Sequence, residues 1–474
     1  MKIEQIYTGC LAQGAYYIES AGEAAIIDPL REVQPYIELA AKRNAKIKYI
    51  FETHFHADFV SGHIDLANKT GAAIVYGPTK MKTGFEFMNA EDGTIFQLGL
   101  AKIKVIHTPG HTLESSCFLL IDESGKETAL FTGDTLFIGD VGRPDLAQHV
   151  IADLTEEKLA GYLYDSLRTK IMPLSDSLII YPAHGAGSAC GKNLSKETSD
   201  TLGNQKKTNY ALREGLSKET FIKELLSGLT TPPYYFPKNV LLNIKGYDSF
   251  DTVLERGIQQ LSVSAFDALS KEAETLVIDT RKPQVFAKGF IPNSINLGID
   301  GNFAVWVGTL IPNIEQHILI VADPGREKEV VTRLARVGYD HAIGCLEGGF
   351  ESWIKSGLPM DTIPAIDVNK FAEAATNNPA INILDVRKKS EYDSEHIVNA
   401  INVPLDYIHE HMEQIDKNKT YYVHCAGGYR SMIFSSILKA RGYHHLIDVD
   451  GGFQAIKNSG KFKITDFVCP TTML

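Results

Sequence analysis

The chain has 474 residues, 44% of them hydrophobic and 22% charged, with a formal net charge of −11. That length exceeds what one hydrophobic core serves, so about three domains are expected, and the composition excludes a disordered or fibrous chain. No basic run with interleaved aromatics and no apolar stretch of bilayer length occurs, which sets aside nucleic-acid and membrane binding and leaves small-molecule ligands as the expected partners.

The opening segment from Met1 lacks the pattern of a secretory leader, so a cytoplasmic protein is expected. Apolar runs such as Ala24 to Asp28 and Ile47 to Phe51 are separated by helical stretches such as Val33 to Arg43, an α/β pattern. The second of these runs leads into Glu52-Thr-His-Phe-His-Ala-Asp58, where alternate residues of an extended loop present His54 and His56 to one side. Thr108-Pro-Gly-His111, Phe131-Thr-Gly-Asp134 and Ile179-Ile-Tyr-Pro-Ala-His184 follow, each at a strand end, where α/β scaffolds gather distant side chains into one cleft. Any one of these residues alone is more often an ordinary histidine or turn aspartate, but the set points to a metal site. His63, His107 and His149 fall outside the motifs and read as ordinary. The stretch Thr230-Thr-Pro-Pro-Tyr-Tyr-Phe-Pro237 cannot continue a helix and reads as the way out of the first domain.

Beyond it the chain repeats. Leu276-Val-Ile-Asp-Thr-Arg281 matches Ile383-Leu-Asp-Val-Arg387, and Glu347-Gly-Gly-Phe350 matches Asp450-Gly-Gly-Phe453. Two copies of one α/β fold with a covered parallel sheet are expected, giving domains over 1–235, 236–360 and 361–474. The six cysteines, Cys10, Cys117, Cys190, Cys345, Cys425 and Cys469, are scattered and form neither a disulfide scaffold nor paired metal ligands.

The order and local sequence of the His and Asp motifs resemble the metallo-β-lactamase superfamily, which implies an αβ/βα sandwich. Dinuclear hydrolases of that superfamily, glyoxalase II thioesterases among them, usually follow HxHxD with a further histidine. Phe59 stands there instead, and a benzene ring cannot donate to a cation. The pattern is similar to the persulfide dioxygenases, whose two-histidine, one-carboxylate centre suits Fe(II) and dioxygen. The resemblance implies one Fe(II) per chain on His54, His111 and Asp134, with zinc the alternative metal. It also implies that His56, Asp58 and His184 are retained around those ligands or on the substrate side. Arg143 and Asp145, in Ile138-Gly-Asp-Val-Gly-Arg-Pro-Asp145, either brace the cleft or hold an anionic substrate. Cys190, in a Gly-rich loop beside Lys192, is expected to have some thiolate character and is a candidate for substrate contact or sulfur relay, a plain loop cysteine being the alternative. The glutathione-specific members carry His-Asp-Tyr after the last motif where this chain has His184-Gly-Ala, so the carrier thiol stays open.

In the second repeat a strand delivers Cys425, Ala426, Gly427, Gly428, Tyr429, Arg430 and Ser431 to a helix start. Backbone N–H groups there converge on the sulfur and Arg430 adds fixed charge. This resembles the rhodanese active-site loop and implies sulfane-sulfur transfer at Cys425. The first repeat continues as Asp323-Pro-Gly-Arg-Glu327 without a thiol and is expected to be silent. Together the parts imply oxidation of low-molecular-weight thiol persulfides by O2 to sulfite, and sulfur transfer to sulfite giving thiosulfate. A zinc thioesterase or lactonase with accessory rhodanese domains, and a non-catalytic persulfide sensor or sulfur carrier, are the alternatives. Whether the chain forms a homo-oligomer is not written in its residues.

Overall fold

The apolar runs of the first half become the central strands of two sheets. The computed structural model describes residues 1–146, 154–192, 194–229 and 232–469, so His149 and the Thr230 and Thr231 part of the expected connection lie outside it. The first sheet, among these residues, has its strands in chain order, Lys2–Thr8, Gln13–Ser20, Glu23–Ile27, Lys46–Glu52, Ala73–Tyr76 and Met88–Asn89. Its first three strands pair antiparallel and the rest parallel. The second sheet runs Asp200–Thr201, Ile179–Pro182, Glu127–Gly133, Ser116–Ile121, Ala101–His107 and Ile95–Leu98.

The two sheets face each other across one core, where Tyr16, Ile18, Phe51 and Val75 of the first meet Ile103, Val105, Phe118 and Phe131 of the second. The other face of the second sheet is covered by helices. Leu163 of Glu156–Ser166 and Phe221 of Lys218–Leu226 pack there on Leu119, Leu130 and Ile180. Buried on both sides, the strand Ser116–Ile121 reads Ser-Cys-Phe-Leu-Leu-Ile, a continuous apolar run rather than an alternation. The result is the α/β sandwich that the motifs implied.

By internal contacts the chain divides into two units, Met1–Thr252 with Pro312–Ile314 and Leu334–Tyr339, and Val253–Ile311 with Glu315–Arg333 and Asp340–Leu474. The helix Phe236–Lys245, expected to open the second domain, packs with the first unit instead, because its buried Asn239 and Asn243 face inward and Asn243 hydrogen-bonds that unit's backbone.

The second unit holds the two repeats, each a parallel sheet of the same order. One reads Gln260–Leu261, Ala342–Leu346, His317–Val321, Thr275–Asp279, Ile295–Asn296, and the other Ala365–Ile366, Leu446–Val449, Tyr421–His424, Asn382–Asp385, Ile401–Asn402. The matched sequence motifs are one structural lock used twice. Arg281 pairs with Asp279 at 2.5 Å and lies 3.9 Å over the ring of Phe350, while Arg387 pairs with Asp385 at 2.5 Å and lies 3.9 Å over Phe453. The glycine before each phenylalanine is required by crowding. A Cβ on Gly452, whose φ is +56°, would stand 2.4 Å from the carbonyl oxygen of Cys425. No helix among the described residues is long and apolar enough to cross a membrane.

Candidate metal centre

Three strand ends bring donors together. His54 follows Lys46–Glu52, His111 lies on the turn after Ala101–His107, and Asp134 follows Glu127–Gly133. One ligand atom from each lies within 4.8 Å of the others, and all three residues are buried. His111 Nε2 is 3.4 Å and His54 Nε2 4.0 Å from Asp134 Oδ2.

Outer partners set which nitrogen of each imidazole is free. The Thr53 hydroxyl donates to Asp28 Oδ2 at 2.8 Å, so its oxygen accepts from Nδ1–H of His54 at 3.0 Å. Nδ1–H of His111 donates to the carbonyl of Arg143 at 2.7 Å. Both Nε2 atoms are thereby left for a cation. Burial and the neighbouring histidines hold His54 well below the usual imidazole range, keeping it the neutral donor a metal needs. Both carboxylate oxygens of Asp134 are buried without a hydrogen-bond partner, a condition that a bound cation relieves. The donor set therefore fits a metal ion.

His56 faces elsewhere. Its Nε2 is 3.1 Å from Asp28 Oδ1 and 3.5 Å from Glu52 Oε2. Burial opposes its charging, but those carboxylates outweigh burial and hold its pKa well above the ordinary value. Burial in turn pushes Glu52 up to about 7, against the pull of His56. Asp58, His184 and Cys190 form a neighbouring buried group, with His184 Nε2 3.4 Å from Asp58 Oδ2 and 3.6 Å from Asp134 Oδ1. The fully buried ring of Phe59 packs 4.2 Å from that of His56, centroid to centroid, and supplies no donor.

Two expectations resolve differently. Arg143 is a brace: its Nε and Nη2 bind Asp145 at 2.6 and 2.5 Å, and Nη1 reaches the carbonyl of Ala189. Cys190 is not a flexible thiol with thiolate character. It is buried, its carbonyl accepts from Arg143 N–H at 3.0 Å, and burial with Asp58 and Asp134 nearby pushes its thiol well above the ordinary value. Lys192 turns away and donates to the carbonyls of Glu224 and Ser227.

Three positioning residues escape the sequence reading. Asp28, at a positive φ of 50°, accepts from both the N–H and the hydroxyl of Thr53. Glu114 Oε1 accepts from the N–H of Phe55 at 3.0 Å. Asn243 donates to the carbonyls of His56 and Phe59 at 2.8 and 2.9 Å and accepts from Ser61 N–H at 2.9 Å. A carboxylate closing an apolar strand was the available signal for Asp28; none marks Asn243. Replacing Asn243 by Ala would orphan these buried groups at about 1–3 kcal/mol. We expect a lower first transition in calorimetric unfolding and weaker metal retention, with the second unit's transition unmoved.

In the second unit the strand Tyr421–His424 ends at Cys425 and the helix Tyr429–Lys439 begins four residues on. Gly428, at φ +98°, turns its N–H onto the Cys425 sulfur at 3.1 Å. Ala426 and Gly427 complete the loop, and the hydroxyl of Ser431, in the first turn of the helix, is buried. Arg430 is held in a two-point ion pair with Glu391, at 2.5 and 2.9 Å, a partner not foreseen from the loop motif. The Tyr429 hydroxyl donates to the carbonyl of Gly298 in the first repeat at 2.8 Å. In that repeat the strand His317–Val321 leads to Asp323 and Pro324, without a thiol. Cys345 lies on another strand, donates to the Gly257 carbonyl at 3.2 Å, and is pushed by burial up to about 12.

Residues 8–184 match the metallo-beta-lactamase superfamily, and residues 262–356 and 368–459 each match the rhodanese-like domain. The crystal structure of a metallo-beta-lactamase from Staphylococcus aureus subsp. aureus COL is 32% identical and covers 73% of this chain and 99% of its own, with a TM-score of 0.64. The ETHE1 structure from Myxococcus xanthus is 26% identical, covering 51% of this chain and 98% of its own with a TM-score of 0.43. The hydroxyacylglutathione hydrolase of Francisella tularensis subsp. novicida (strain U112) is 34% identical over 169 residues, and the chain spans 61% of its length. The chain belongs to the metallo-β-lactamase superfamily and carries two rhodanese-like domains behind that fold.

Proposed function

We propose that the first unit, with one Fe(II), oxidises low-molecular-weight thiol persulfides to sulfite, and that the second repeat transfers sulfane sulfur through Cys425 to give thiosulfate. The observation that carries this reading is the buried trio His54, His111 and Asp134 beside a position, Phe59, that offers no donor for a second cation. Fe(II) bound there would supply a redox-active cation with coordination positions left for substrate. The protein's part is to hold the two Nε2 donors through Thr53 and the Arg143 carbonyl and to supply the Asp134 carboxylate.

The overall reaction balances as RSSH + O2 + H2O giving RSH, sulfite and two protons. In the second module the Cys425 thiolate would attack the outer sulfur of a further RSSH and release RSH. Sulfite would then take that sulfur as thiosulfate and restore the thiolate. The Gly428 N–H and the helix start stabilise the sulfur anion, while Arg430, fixed by Glu391, marks where an anionic acceptor approaches.

A second reading, thioester hydrolysis at zinc, draws on the likeness to the hydroxyacylglutathione hydrolase and on the Asp58, His184 and Cys190 group beside Asp134. Anaerobic purification with metal quantification, followed by oxygen-electrode assays on thiol persulfides, separates the two. One equivalent of iron with persulfide-dependent oxygen uptake is expected. Two equivalents of zinc, hydrolysis of an acylglutathione and no oxygen uptake would replace the first reading by the second.

A further inference from the structure

A small cleft of about 30 Å³ opens in the first unit beside His111, one of the proposed metal ligands. His111 forms part of its wall, which puts the cleft next to one of the proposed metal ligands. Most of the remaining wall is hydrocarbon, from Phe55, Met81, Leu113, Leu146, Val240 and Ile244. These come from the metal loop, the segment after Ala73–Tyr76, the His111 turn, the short turn Pro144–Leu146 and the helix Phe236–Lys245. Among the described lining residues none is a Lys or Arg, and the acidic one, Glu114, is tied by its carboxylate to the Phe55 N–H. The nearby guanidinium, that of Arg143, is already engaged at two points by Asp145.

A carrier with a carboxylate near its sulfur would lose hydration in this cleft without gaining a cation, and would meet Glu114 of the same sign. A hydrocarbon chain would instead exchange water for apolar wall, a gain of about fourfold in binding per buried methylene. We infer that the persulfide substrate is carried by a thiol whose skeleton next to the sulfur is apolar and uncharged, and that thiols with a carboxylate close to the sulfur are rejected. This deepens the persulfide reading and rests on it for the identity of the reacting group.

The test uses the iron-loaded full chain and two series, the persulfides of methane-, ethane- and butanethiol and those of mercaptoacetate and mercaptopropionate. kcat/KM for oxygen uptake is expected to rise about fourfold per methylene along the alkyl series until the cleft is filled, and to exceed that of a carboxylate carrier of equal length at least a hundredfold. Val240→Lys, which places a cation in the wall, should narrow that ratio tenfold or more. Calorimetric binding of the unreactive parent thiols should show the same order. Equal or better use of the carboxylate carriers, with equal or tighter binding of their thiols, would overturn the inference and leave the persulfide reading standing. Tight alkanethiol binding without oxygen uptake from any persulfide would do the reverse.

Discussion

Replacing Asp134 by Asn should strip the first unit of iron and lower persulfide-dependent oxygen uptake more than a hundredfold, while the protein melts no earlier than the metal-free unsubstituted chain. The reasoning starts from burial. Both Asp134 oxygens are shielded from solvent and lack a hydrogen-bond partner, so in the metal-free protein this carboxylate is a charge with no compensation nearer than the imidazoles of His111 and His184. Removing such a charge relieves the metal-free fold rather than weakening it. With metal the sign reverses, because the carboxylate is the anionic member of the donor set. Loss of an outer partner of a ligand, as in Thr53→Val at His54, brings a decrease of about 10–100-fold, and loss of a ligand itself should exceed that. Iron content by plasma emission, oxygen uptake and thermal unfolding read the three consequences separately. An Asp134→Asn protein that kept its iron and turned over persulfide would show that the trio is not the centre.

The features that sequence revealed are those written in contiguous residues. His54, His111 and Asp134 each follow the end of an apolar strand inside a short motif, and strand ends of an α/β scaffold bring distant side chains together. The Asp-x-Arg and Gly-Gly-Phe pairs were visible because the chain states them twice, and the lock of Arg281 and Arg387 on Phe350 and Phe453 explains the repetition. What stayed hidden depends on contacts between distant segments. Asn243 steadies the loop around His56 from a helix that the proline-bearing stretch ending at Pro237 assigned to the next domain. The Cys190 loop, small and glycine-rich, suggested mobility. Its backbone is nevertheless pinned by Arg143 and by the Ser188 hydroxyl, and burial then raises the thiol instead of activating it. The apolar cleft has the same character, since its walls come from segments far apart in the chain and no single stretch announces it.

Cys425→Ser should abolish thiosulfate formation while leaving oxygen uptake intact, so that sulfite accumulates as the end product. The substitution is nearly isosteric, and the Gly428 N–H that now points at sulfur can donate equally to a hydroxyl oxygen, so the loop should keep its place. What changes is chemistry: a serine hydroxyl is neither ionised near neutrality nor able to carry sulfane sulfur, whereas a thiolate accepts sulfur and releases it to sulfite. Within the first repeat nothing takes its place: Cys345 is committed to the Gly257 carbonyl on a buried strand, and the segment after His317–Val321 presents Asp323 where the loop would need a thiol. The measurement is product analysis of persulfide turnover by the full chain, with the uncatalysed reaction of persulfide and sulfite subtracted. Sulfite in place of thiosulfate at unchanged oxygen consumption is the expected outcome. Loss of oxygen uptake in a folded variant would mean that the chemistry of the first unit passes through Cys425, and thiosulfate at the unsubstituted rate would mean that the loop, despite its geometry, is not where sulfur is carried.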